Sequence, residues 1–214
     1  HAQHFDVIHD NQTLADGILD LQQAGLPVVT TIHHPISRDL SVALAGASDW
    51  RERLLVRRWH SFLTMQARVA AQLNHIVTVS SASAADIATD FGVLPDAIQV
   101  IPNGVDTELF RALPEVIRKP DQLIATASAD APLKGLGVLL QAFKALSVDR
   151  PALQLMLIAS PKPGGDTEAL ISQLRLGDRI HFVGGVSHAD IVRLYAESTV
   201  AVVPSLYEGF GLPA

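Results

Sequence analysis

Apolar residues in this chain gather into short runs, and between the runs they recur at every third or fourth position. Runs bounded by turn residues read as buried strands, and the three-to-four spacing reads as amphipathic helix. "FDVIHD" predicts a strand, followed by a helix from Leu14 to Gln23 that Gly25 ends. "PVVTTIHH" predicts the next strand, and a loop is expected from Pro35 to Asp49. Leu55, Trp59, Phe62, Val69 and Leu73 keep spacings of three, four and seven, which predicts one long helix over 50–73. "HIVTVS" is a strand, "SASAADIATDFG" a capped helix stopped at Gly92, and "AIQVIP" a strand.

The alternation then pauses. "VIPNGVDTELF" carries Asn103-Gly104 after a proline, a turn signal because both residues tolerate positive φ. "RALPEVIRKPDQ" is polar and proline-bearing, the best linker candidate. Beyond it, "LIATAS", "LQLMLIAS", "RIHFVGG" and "VAVVPS" predict strands. Leu136 to Leu146, "TEALISQLRL" and "HADIVRLYAES" predict the helices between them. The expected fold class is therefore α/β, with two Rossmann-like lobes on parallel sheets. A partial first lobe covers 1–110, a linker 111–121 and a partial second lobe 122–214. The chain lacks an initiator methionine and opens almost directly on a strand, so a fragment truncated at both ends is expected.

Composition narrows the function. The 214 residues include no cysteine, which removes disulfides and thiolate metal sites and fits a reducing, cytoplasmic setting. The formal charge of −6 disfavours general nucleic-acid binding, which depends on neutralising phosphates. No apolar run approaches the length needed to span a bilayer. One local charge cluster stands out: Arg51, Arg53, Arg57 and Arg58 against Glu52. It reads either as the solvated face of a helix that packs its other side inward, or as a surface for anionic lipid at the inner face of a membrane.

Ligands of parallel α/β folds bind at the carboxyl ends of strands, so the residues just after strands hold the candidate chemistry, and a cleft between lobes is the default place. In the first lobe these are His9, Asp10 and Asn11, then His33 and His34, then Ser80 and Ser81. In the second they include Lys134-Gly135 at a helix start and the glycine-rich "SLYEGFGLPA". Glycines let a ligand approach backbone N–H groups, a helix start favours an anion, and Glu208 is placed to accept hydrogen bonds from hydroxyls. Each also has an ordinary reading: Lys134 a solvated lysine, the glycines a plain turn, the histidines a satisfied loop pair. Ser80 and Ser81 read as helix caps. Metal is not expected, since adjacent histidines on an extended strand point to opposite faces.

Taken together, "TTIHHP", "VTVSSASAADI", "VIPNGVDTELF", "LKGLGVLLQAF", "ADIVRLYAESTVAVVPS" and "YEGFGLPA" resemble the retaining glycosyltransferases of family 4, which have the two-lobe GT-B architecture. The resemblance runs over essentially the whole chain. It implies a hexosyltransferase that takes a nucleoside-diphosphate-sugar donor in the second lobe and a hydroxyl acceptor (glycan, lipid or small molecule) in the first. It implies that Lys134 neutralises the donor diphosphate and that Glu208 is the first glutamate of the family's paired motif. Gly135, Gly209, Phe210, Gly211 and Leu212 then hold the donor, His33 reaches its sugar or leaving phosphate, and Asn103 and Gly104 form the interlobe crossover. His34 substitutes if the register slips by one.

Three departures follow. The family's arginine before the lysine is replaced in "TASADAPLKG", where Ser128 stands, leaving Lys162 or another cation to help. The second glutamate of the pair would fall at position 216. The family's opening strands and their glycine-rich turn are absent. The expected mechanism is departure and attack on one face of the sugar, with no cofactor or metal. The alternatives are a nucleotide-sugar-binding protein without catalysis, and a sugar-phosphate isomerase or phosphorylase on a similar scaffold.

Overall fold

The structure, a computed structural model, describes residues 5–127 and 131–212. The chain forms two compact units. The first spans His1–Asn103 together with Glu208–Phe210, and the second spans Gly104–Tyr207 with Gly211–Ala214. The division falls between Asn103 and Gly104. Glu208, Gly209 and Phe210 group with the first unit, although the sequence pattern places all of 122–214 in the second lobe.

In the first unit, strands β1 (Ile8–Asn11), β2 (Val28–Thr31), β3 (Ile76–Thr78) and β4 (Ile98–Val100) pair in parallel in that order. Helix α1 (Asp16–Gln23) joins β1 to β2. Three helices follow β2: α2 (Ser37–Gly46), α3 (Trp50–Trp59) and α4 (Leu63–Ala70). Helix α5 (Ser81–Phe91) joins β3 to β4 and ends on Gly92 at φ 68°, the left-handed stop that the sequence predicts. Val28, Ile32, Val69, Ile76 and Ile87 build the core against these helices.

Two expectations fail here. The loop expected over 35–49 contains α2, whose residues are none of them fully buried, so no apolar stripe marked it. The single helix expected over 50–73 is two helices. His60 leaves helical geometry at φ −91°, and its Nδ1 lies 2.8 Å from the Val56 carbonyl oxygen. Neither glycine nor proline marks that break, and the apolar rhythm runs straight across it. Only its second half faces the core, through Val69 and Leu73.

The second unit has the strand order β7-β6-β5-β8, all parallel. Its strands are β5 (Lys119–Thr126), β6 (Gln154–Ile158), β7 (Ile180–Val183) and β8 (Ser198–Ala201). Lys119, Pro120 and Asp121, expected in the linker, belong to β5. Helices α6 (Leu136–Asp149), α7 (Asp166–Leu174) and α8 (His188–Glu197) connect them. Leu140, Phe143, Leu155, Leu157 and Leu176 form the core, each at most 1% exposed. Helix α8 starts in a complete capping box, with Ser187 and Asp190 exchanging side-chain and backbone hydrogen bonds. The α/β architecture of parallel sheets in two units is therefore as the alternation of runs and periods predicts.

Candidate functional site

In the second unit, β5 and β8 are neighbours, yet the chain builds outward from β5 through β6 to β7 before returning to β8 on the other side. That reversal makes the carboxyl ends of β5 and β8 a topological switch point, the place where open parallel sheets leave a crevice. The loop after β5 holds Lys134, and the loop after β8 holds Pro204 to Tyr207. Pro132–Lys134 form one 3-10 turn, and Gly135 at φ 64° turns the chain into α6. A Cβ at Gly135 would run into the carbonyl oxygen of Pro204, so both conformation and close approach demand glycine. The Leu206 amide donates to the Leu133 carbonyl at 2.9 Å. The lysine turn and the start of the glycine-rich loop are thus stitched together by backbone. Gly135, the residue that precedes α6, carries no side chain to cap it, and Lys134 stands one position before it. Ser128, where the family's arginine is missing, lies outside the described residues. Lys162 stands in the turn after β6, one strand away from the switch point.

In the first unit, the site is built around the carboxyl ends of β1 and β2. Asp10 accepts from the Thr13 amide at 3.2 Å and the Leu14 amide at 3.3 Å, and also from the Thr13 hydroxyl. This winds the loop after β1 so tightly that Gln12 and Leu14 sit at φ 60° and 50°. Left-handed backbone costs a residue with a Cβ roughly 1–2 kcal/mol. Full burial of Leu14, at 0% exposure, returns about 1.5–3 kcal/mol, so the turn holds. The strain has a product: the Gln12 amide faces the chain after β2. Gln12 Oε1 accepts from the His33 amide at 2.8 Å, and Gln12 Nε2 donates to the His34 carbonyl at 2.8 Å. One side chain thereby grips both backbone groups of the histidine pair. Asn11 Oδ1 lies 2.9 Å from His33 Nε2 and fixes the ring. His34 turns the other way, with Nε2 at 3.3 Å from Asp39. His9 is occupied by Thr31, at 2.8 Å.

The same unit takes in Glu208–Phe210. Ser80 Oγ donates to the Gly209 carbonyl at 2.6 Å, and Ser83 Oγ lies 3.0 Å from both that carbonyl and the carbonyl of His33. A Cβ on Gly209 would sit 2.5 Å from the His33 carbonyl oxygen, so this position too admits only glycine. Ser80 also caps α5, accepting from the Ser83 amide at 3.0 Å, as its position before the helix predicts. His33 and Gly209, 176 positions apart, are thus brought together with Glu208 next in the chain. Gly211 follows at φ 79°, and Phe210 is 37% exposed.

Gln12 and Ser83 were not among the sequence-derived candidates. Ser83 carried only a helix signal, and nothing in the sequence shows that residue 12 adopts a left-handed conformation. A separate apolar groove of about 1180 Å³ lies in the second unit, between the segment after Gly104 and α8. Val105, Phe110, Ile191 and Tyr195 line it, and of the predicted site residues only Leu212 reaches it.

Fold and site together define a class: two parallel-sheet α/β units carrying a lysine turn and a glycine-rich loop at a switch point, as in GT-B glycosyltransferases. The chain belongs to glycosyltransferase family 4. Residues 1–109 match the model for Glycosyltransferase Family 4, and residues 112–214 match that for Glycosyl transferases group 1. It is 50% identical, over 98% of its length, to the MMP alpha-(1->4)-mannosyltransferase of Mycolicibacterium hassiacum. It is 28% identical, over 99%, to the D-inositol 3-phosphate glycosyltransferase of Saccharomonospora viridis. The chain spans about half the length of each, 50% and 51%. Among solved structures, the sucrose-phosphate synthase of Thermosynechococcus elongatus has the same fold, with a TM-score of 0.70 at 22% identity over 97% of this chain and 52% of its own.

Proposed function

We propose that this chain is part of a retaining, metal-independent glycosyltransferase that moves a hexosyl group from a nucleoside-diphosphate-sugar to a hydroxyl acceptor. The observation that carries the reading is the stitched pair of loops at the β5–β8 switch point, with Lys134 and the start of α6 on one and Pro204 to Tyr207 on the other. The relative at half identity is named for mannosyl transfer, so we assign mannose as the transferred sugar and an α-(1->4) bond as the product. An α-linked product made from an α-linked donor keeps its anomeric configuration, which is the sense of retention here.

In this mechanism the leaving nucleoside diphosphate gathers charge as the glycosidic bond breaks. The proposal assigns the Lys134 ammonium and the first N–H groups of α6 to that charge, and preorganised donors of this kind are worth about 2.7–4 kcal/mol each. Gly135, packed against the Pro204 carbonyl, turns the chain so that α6 begins directly after Lys134. Glu208 accepts from hydroxyls of the transferred sugar, and His33, fixed by Asn11 and Gln12, presents its ring to the sugar or leaving phosphate. The acceptor hydroxyl attacks from the face the diphosphate leaves. Asn103 and Gly104 serve as the crossover. A cytoplasmic location, where nucleotide-sugars serve as donors, belongs to the same proposal.

The test is transfer itself. A protein carrying this chain with the remainder found in its relatives is incubated with a panel of nucleoside-diphosphate-mannoses and mannoside acceptors, and released diphosphate and product linkage are measured. An α-linked mannoside is expected. Nucleotide-sugar binding without either transfer or hydrolysis overturns catalysis, and a β-linked product overturns retention.

A further inference from the structure

Ser80 and Ser83 stand at the start of helix α5 and belong to the first unit, as do His33 and the segment Glu208–Phe210. Ser80 is the N-cap: its Oγ accepts from the Ser83 amide at 3.0 Å, which leaves the hydroxyl proton for another partner. That proton goes to the Gly209 carbonyl, at 2.6 Å. Ser83 is fully buried, and its Oγ stands 3.0 Å from the same carbonyl and 3.0 Å from the carbonyl of His33. One hydroxyl proton there serves two acceptors. A carbonyl oxygen has two lone pairs, so Gly209 takes both hydroxyls at once. Capping a helix needs only Ser80. It accounts for one of these four contacts and gives the buried Ser83 hydroxyl no task.

We infer that Ser80 and Ser83 are positioning residues for the transfer step: they hold the Gly209–Phe210 peptide so that its N–H meets a hydroxyl of the transferred sugar. This rests on the proposed function, which gives Glu208 and His33 to that sugar. In a planar trans peptide the carbonyl and the following N–H point in opposite directions. With the Gly209 carbonyl turned into the start of α5, the Phe210 N–H is turned away from it. Two hydroxyls on one oxygen hold the peptide plane against rotation, where a single one would let it swing. Glycine makes that hold necessary, because without a Cβ its φ and ψ are loosely confined. It also makes the approach possible, since a Cβ would sit 2.5 Å from the His33 carbonyl oxygen. Ser83 adds a second link. By touching the carbonyls of His33 and Gly209 together, it sets the spacing between the histidine and the neighbour of Glu208.

One peptide reports the geometry, because Gly209-Phe210 is the one Gly-Phe pair in the sequence. Isotopic labels on glycine carbonyl carbon and phenylalanine nitrogen give a single carbonyl–amide NMR correlation from the 214-residue chain. Hydrogen bonds move a carbonyl carbon downfield. S80G and S83A should therefore each move this signal upfield, and S80T should leave it in place. Glycine and threonine both serve at a cap, so S80G and S80T keep α5. Transfer is then measured in the longer protein with mannosyl donors. S80G and S83A should each lower kcat roughly two- to tenfold, the worth of one neutral hydrogen bond. Nucleoside diphosphate affinity should be unchanged, and S80T should restore wild-type kcat. Donors lacking one sugar hydroxyl each separate positioning from structural support. The S80G penalty should vanish with the donor that lacks the hydroxyl taken by Phe210 and persist with the others. A carbonyl signal unmoved in both variants overturns the inference, as does an equal penalty on every deoxy donor, or wild-type kcat in both variants. In each of these results the glycosyltransferase reading stands. Absence of transfer by the longer wild-type protein overturns that reading, and this inference with it.

Discussion

Replacing Gln12 separates two opposing effects at one position. Its side chain makes two hydrogen bonds, at 2.8 Å each, to the His33 amide and the His34 carbonyl. Each is worth about 0.5–1.5 kcal/mol net, so Gln12→Ala should lose about 1–3 kcal/mol from the first unit. Gln12→Gly loses the same bonds but relieves the left-handed backbone at φ 60°, which returns about 1 kcal/mol. The expected order of stability is wild type, then Gly, then Ala. For a unit near 100 residues, 1 kcal/mol moves the melting temperature by about 4–8 °C, so calorimetry resolves the three proteins. Hydrogen exchange adds the location: the His33 amide should lose protection in both variants, while the Ile32 amide, bonded to the Val77 carbonyl at 2.8 Å, keeps it. In the longer protein both variants should lower turnover more than donor affinity, because the proposed function gives His33 its role at the sugar or leaving phosphate. An alanine variant as stable as the glycine variant would refute the conformational part. Unchanged exchange at His33 would refute the clamp.

Gly209→Ala forces a Cβ toward the His33 carbonyl oxygen at 2.5 Å, so the segment 208–210 must withdraw from Ser80 and Ser83; exchange should rise at 208–210 with the β-sheet core unaffected. Lys134→Ala and Glu208→Ala, in the longer protein, should each cut turnover at least about a hundredfold, the loss expected when one preorganised partner of the transition state is removed; near-normal rates in both would defeat the site assignment. Glu197 is hydrogen-bonded by Lys119 at 2.8 Å and Arg193 at 3.1 Å, and these two cations, Lys119 first, hold its carboxyl below the usual glutamate range. Its folded pKa is depressed, so its contribution to stability is complete above the ordinary glutamate pKa and is lost as pH falls through the lowered value. Lys119→Met should move the Glu197 titration, followed by NMR, back toward the ordinary range; an unmoved titration would assign the shift elsewhere.

Much of this protein was legible without coordinates. Apolar runs such as "LQLMLIAS" need burial on both faces, and the parallel sheet is the structure that provides it, so the α/β class followed from local pattern. Gly92 as a helix stop and Ser80 as a cap followed from the φ tolerance and hydrogen-bonding reach of single residues. Lys134-Gly135 and the glycines from 209 onward stood out as candidates, because cations and bare backbone suit a phosphate or sugar. Elsewhere the local signal misled: α2 carries no buried stripe, and no residue marks the break at His60.

Tertiary structure alone decided what these residues touch. That Gly209 tolerates no side chain depends on the His33 carbonyl, and that Gly135 tolerates none depends on the Pro204 carbonyl. Gln12 clamps the histidines because Asp10 winds its loop and Leu14 finds a core. The Trp and Leu side chains of α3 stay in solvent although their spacing matches a buried stripe. Sequence periodicity fixes which residues share a face, since that is a property of helix and strand geometry. It does not fix what covers the face, because that partner comes from residues far along the chain or from outside it.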